Sequence, residues 1–138
     1  MEAKEILTPK NMFLALGTTV IVMSFYGMAN GDEWAEYGWG EDNVLAHDEA
    51  YEEMWALHLM PLGVMAMITG MVVTGKELAR MAMFSPVVLV ILAVGMTVLA
   101  SDNGYSTDPP GGISGILGGI MMIAVILTCA SGFMHKDE

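Results

Sequence analysis

Met54 and His58 pose the first chemical question in this chain, because residues four apart on an α-helix stand one turn apart on the same face. A thioether beside an imidazole is a donor pair for Cu(I), or an axial pair for haem iron. His47 precedes His58 by eleven residues, about 16 Å along a helix axis, so the two histidines cannot hold one ion. A metal at His58 and Met54 would draw its remaining ligands from another segment or another chain. The alternative role for His58 is structural. Pro61 cannot donate to the carbonyl of Leu57, and a neutral imidazole is able to satisfy a carbonyl freed in this way. Cys129 is the sole cysteine, which excludes an intrachain disulfide, a CxxC redox pair and a thiolate zinc cluster.

These residues lie in a stretch, Asp42 to Gly75, that passes without a break from strongly acidic to wholly apolar. It reads as one long helix that starts in water and ends across a membrane, with Asp42 and Asn43 as its cap. At 100° per residue, His47, Tyr51, Met54, His58, Pro61 and Met65 share an arc of roughly 80°. Glu49, Glu52 and Glu53 fall opposite. The expectation is therefore a helix with its acids in water and its histidine stripe against protein, kinked at Pro61.

Composition points to lipid as the solvent. Of the 138 residues, 54% are apolar and 15% charged, and the charges are gathered into short segments. A bilayer core of about 30 Å needs roughly 20 apolar residues per helix. Four such runs are present, and the predicted spans are about 10–29, 53–74, 81–100 and 110–133, with an acidic loop at 30–52. The fold class expected is an all-α membrane protein, a four-transmembrane-helix bundle whose second helix extends beyond the membrane.

The net charge of −11 matters less than where the charges sit. Lys4 and Lys10 precede the first run, Lys76 and Arg80 separate the second from the third, and Lys136 follows the fourth. The other two loops hold no basic residue, while nine acids from Asp32 to Glu53 crowd one and Asp102 and Asp108 the other. By the positive-inside rule both termini are expected to be cytoplasmic and the acidic loops outside. The expected location is a prokaryotic cytoplasmic membrane. Residues 1–29 also imitate a secretory signal, with Gly27-Met28-Ala29 at the cleavage position; removal would leave three spans.

Three Pro-containing starts punctuate the chain: Thr8-Pro9, Ser85-Pro86 and Asp108-Pro109. Ser85-Pro86 falls inside the third run, so Met81 to Phe84 are placed along the inner interface. The loop NGDEWAEYGWGED lacks calcium-loop spacing and reads as solvated and partly interfacial, its aromatics at headgroup level. His135 is expected in solvent. In the last run Gly111, Gly115 and Gly119 recur at intervals of four, with Ser114 and Gly118 alongside, a small-residue groove that lets a second helix approach closely. Its partner lies either within the chain or in another subunit.

Fifteen methionines, with Met67-x-x-x-Met71, Met81-x-Met83 and Met121-Met122, strengthen the copper reading. They resemble the methionine pair of the Ctr-type copper transporters, which also use glycine-spaced packing. That family has three spans and a methionine-rich outer tail, whereas here the outer segments are acidic and hold no Met-x-x-Met cluster. No acid lies within the four apolar runs, the second of which starts at Met54, no nucleophile–base pair or phosphate loop occurs, and five basic residues argue against nucleic acid. The leading expectation is a non-catalytic accessory or structural subunit. Its partners are lipid and other membrane subunits or copies of itself, with a copper or haem protein as the alternative.

Overall fold

The computed structural model describes residues 3–108 and 110–138, with Ala3 described by its backbone alone. All regular structure among them is helical: α1 (Ala3–Ile6), α2 (Pro9–Ala29), α3 (Gly31–Trp39), α4 (Asp48–Val72), α5 (Gly75–Met83), α6 (Ser85–Asn103) and α7 (Gly112–Met134), with a single 3₁₀ turn at Glu41–Asn43. Four segments are long and apolar enough to cross a membrane: α2, α4, α5 taken together with α6, and α7. Large apolar side chains stand exposed along all four, as in a protein whose solvent is lipid.

The centre of the fold is the contact between α2 and α4, and it is made by small residues. Gly17, Ser24 and Gly31 follow one another at intervals of seven, as do Ala56, Gly63 and Gly70. A seven-residue repeat keeps one seam facing a partner helix over several turns. A Cβ on Gly17 would lie 2.6 Å from the carbonyl oxygen of Gly63, and one on Gly63 would lie 2.9 Å from that of Gly17, so the two backbones touch. The Ser24 hydroxyl donates to the carbonyl of Ala56 at 2.6 Å across the same seam. Helices associate in lipid through such close packing and interhelical hydrogen bonds, since burial of apolar surface gives little advantage there.

Against this pair lies α7, whose Thr128 donates to the carbonyls of Ala124 at 2.7 Å and Met12 at 3.4 Å. The amphipathic α5 packs against α2 and α7, burying Leu78, Ala79 and Ala82 with Phe13 among their neighbours. Gly132 makes this possible, since a Cβ there would meet the Ala79 carbonyl oxygen at 2.5 Å. Lys4 pairs with Glu138, joining α1 to the segment that follows α7 and holding the Glu138 carboxyl below its usual range. All five basic residues belong to this end. By contrast α6 stands almost free, with Ala100 its only buried residue.

Several sequence expectations need correction. The long helix begins at Asp48, not Asp42; Asp42 and Asn43 sit in the 3₁₀ turn and His47 precedes the first helical turn. Asp48 does accept a main-chain hydrogen bond, from the N–H of Leu45 at 2.7 Å, and so fixes the turn that enters the helix. The supposed loop 30–52 contains α3, which starts beneath two acids, Asp32 and Glu33, suited to a helix N-terminus. It stops at Gly40, whose φ of 82° favours glycine. Thr8 caps α2 as expected, accepting from Asn11 N–H at 3.2 Å. Ser85 does not cap: it lies inside α6 and donates to the carbonyl of Val125 at 3.5 Å. The break between Met83 and Ser85 does separate α5 from α6. Asp108 does not cap α7, which opens four residues later with Gly111 at the cap position; Pro109 lies outside the described residues.

Candidate functional site

At the acidic end, α3, the first turns of α4, Tyr105, Pro110 and the start of α7 line a cavity of about 330 Å³. Its walls are Trp34, Tyr37, Trp55 and Tyr105, and two carboxylates, Glu33 and Glu52, reach it. Trp34 is set by α3, its indole lying over Gly27, where only a glycine leaves room. Its Nε1–H donates to Ser114 Oγ at 3.0 Å, and that hydroxyl donates to Glu33 Oε1 at 3.3 Å. Tyr26 donates to Glu33 Oε2 at 2.7 Å. Glu33 is thus held by donors from α2 and α7.

Glu52 is only 8% exposed. The phenol of Tyr105 donates to its Oε1 at 2.9 Å. Tyr105 is positioned in turn by Gly38, on whose bare α-carbon its ring rests, by Trp39 in an edge contact of 5.1 Å, and by the Ser106 N–H, which donates to the Gly38 carbonyl at 2.7 Å. Burial, then the charge of Glu52, push the Tyr105 phenol well above its ordinary value. It therefore remains the donor of the pair. Tyr37 donates to the carbonyl of Asp108 and closes the rim. None of the five basic residues is at this end, so these carboxylates are balanced by neutral donors.

The residues singled out by type behave differently. The stripe of His47, Tyr51, Met54, His58, Pro61 and Met65 is exposed, and the buried face of α4 is Glu52, Ala56, Leu59, Gly63 and Gly70. The histidine stripe therefore faces away from the protein, contrary to expectation, and Glu52 is buried, while Glu49 and Glu53 are exposed as expected. The reason is that small residues, not polarity, select the packed face of a helix in lipid. His58 and Met54 do share a face, and Nδ1–H of His58 donates to the Met54 carbonyl, leaving Nε2 outward. The carbonyl it takes is that of Met54, not the Leu57 carbonyl released by Pro61. His47 packs edge-on to Tyr51, 3.6 Å from Asp48. His135 is not solvated: its side chain is 11% exposed and bonds the Ser131 carbonyl at 2.9 Å. Among the described residues no three His, Cys, Asp or Glu side chains gather as a metal-holding group, so copper or haem at His58 and Met54 would need ligands from elsewhere.

The glycine groove of α7 divides in two. Ser114 is buried against α3, and Gly115 faces the carbonyl of Pro110, so both are occupied by the chain itself. Among the described residues, and leaving aside their own helix backbone, no atom lies within 4 Å of the Cβ positions of Gly111, Gly118 and Gly119. Sequence reasoning missed the cavity residues Glu33, Glu52, Tyr37 and Tyr105. The usable signal was the Glu52-Ala56-Leu59-Gly63-Gly70 stripe, which marks the inner face of α4 and carries Glu52 inward with it. The chain matches no known protein family, no curated protein and no solved structure.

Proposed function

We propose that this chain is a small integral membrane subunit that assembles through the Gly111–Gly118–Gly119 face of α7 into a homo-oligomer or a larger membrane complex. Its basic end lies in the cytoplasm and its acidic end outside, in keeping with the charge asymmetry of the loops. The observation that carries this reading is the emptiness around Gly118 and Gly119. A glycine inside a helix costs about 1 kcal/mol in propensity relative to alanine. At Gly17, Gly63, Gly70 and Gly132 the cost is offset by close approach to a neighbouring helix, whereas Gly95 of α6 stands open without small residues beside it. Gly118 and Gly119 lie on a regular helix with the same need for a partner and no occupant among the described residues. The exposed Val, Ile and Leu side chains of α6 require no partner, because lipid solvates them as well as protein does.

Cross-linking in the native membrane tests this. A Gly119→Cys chain in a Cys129→Ser background is expected to form a disulfide-linked dimer under mild oxidation, or a heavier adduct with a different subunit. Cysteine at Val94, on the exposed face of α6, serves as the comparison and is expected to cross-link far less. Equal cross-linking at the two positions would overturn the assignment of the face.

A further inference from the structure

We propose that the acidic-end cavity is a binding site for an organic ammonium group, carried by a small free amine or by a lipid headgroup. Three independent features point to that chemistry. The first is charge: Glu33 and Glu52 both reach the cavity, and no Lys or Arg occurs between Lys10 and Lys76 or between Arg80 and Lys136. The second is the state of Glu52. A carboxylate mostly withdrawn from water is costly unless paired, and this one, 8% exposed, has a neutral phenol on Oε1, while Oε2 has no donor among the described residues and is not enclosed, in a residue that lines the cavity. The third is the wall, since Trp34, Tyr37, Trp55 and Tyr105 offer aromatic surface, which attracts an alkylated cation through the ring quadrupole.

The same features select against other ligands. A hard divalent cation takes about six to eight oxygen ligands, and the cavity offers two carboxylates among rings. An anion would meet uncompensated negative charge. The volume of about 330 Å³ suits a group the size of choline or ethanolamine, at the lower end of the range of about 300–1,000 Å³ for small-molecule sites. Its position at the end of the spans, beside the exposed starts of α4 and α7, gives access both from water and from the headgroup layer.

Tryptophan fluorescence of the purified full chain reads the site directly, because Trp34 and Trp55 line it. Choline and ethanolamine are expected to give a saturable change, with the neutral isostere 3,3-dimethylbutan-1-ol at least tenfold weaker. Glu52→Gln and, separately, Glu33→Gln are expected to weaken choline binding at least tenfold while helicity is retained. Native mass analysis from bilayers of phosphatidylcholine or of phosphatidylglycerol distinguishes the source. Retention of the choline lipid with no response to free choline assigns the site to a headgroup, and the converse to a free amine. Equal binding of the neutral isostere, saturation by calcium or magnesium in place of choline, or no response to either amine or lipid would overturn the proposal. The isostere comparison needs no variant and stands even if a glutamate substitution fails to fold.

Discussion

Tyr105 and Glu52 form the polar contact on which the acidic end most depends. Burial and the Glu52 charge both disfavour the phenolate, so the folded pKa of Tyr105 stands above the ordinary value of about 10. The associated stability is fully present below the ordinary value and is lost as pH rises through the folded one. Spectrophotometric titration is therefore expected to show a tyrosine step that is withheld until the fold opens, and Tyr105→Phe should remove that late step. The same substitution is expected to cost about 1–3 kcal/mol, as for a buried acceptor left without its donor. His58→Ala, by contrast, should change stability by no more than about 0.5 kcal/mol, because the side chain is exposed and its hydrogen bond is to its own helix; thermal unfolding in detergent checks both. Residue types made His58 conspicuous in the sequence and left Glu52 looking like a solvated acid. The distinction was hidden because it depends on which face of α4 meets α2, and that is set by Ala56, Gly63 and Gly70.

The seam between α2 and α4 is the element-scale device that fixes everything else. Gly63→Leu must push Ile21 and the Gly17 backbone aside, with an expected cost of about 1–3 kcal/mol or more. Gly95→Leu, on the free face of α6 with nothing within 4 Å, should cost far less. Ser24→Ala is expected to cost about 0.6 kcal/mol and at most near 1.7, the range for interhelical hydrogen bonds in membranes. Reversible unfolding in mixed micelles ranks the three. The long apolar helices were plainly legible, since length and hydropathy alone define them, and so was the break before Ser85-Pro86. The helix α3 was not, because its Gly, Asp, Trp and Tyr content is that of a loop and its order comes from packing Ala35 and Gly38 against the rest of the chain. The α4 start was read six residues early because capping residue types occur at both Asp42 and Asp48.

At the scale of the molecule, basic residues mark one end and the carboxylate cavity the other, and Lys4 pairs with Glu138 at the basic end. The proposed orientation predicts that a membrane-impermeant maleimide labels Asp42→Cys in intact cells and leaves Lys76→Cys unlabelled, both in a Cys129→Ser background. The reverse pattern would invert the topology. Three helices pack closely and α6 stands aside, so the molecule presents α6 and the Gly118–Gly119 face of α7 to its surroundings. The groove itself was legible as a spacing of four. What the spacing could not separate was its internal half, Ser114 and Gly115, from its free half, since that depends on where α3 and Pro110 come to lie. The most direct test is the native mass of the complex extracted in mild detergent, measured for the unaltered chain and for Gly118→Leu. The expected result is an assembly larger than the 14.8 kDa chain, reduced to the single chain by Gly118→Leu with helicity and melting unchanged. A single chain from the unaltered protein, or an assembly indifferent to leucine at 118, would contradict it.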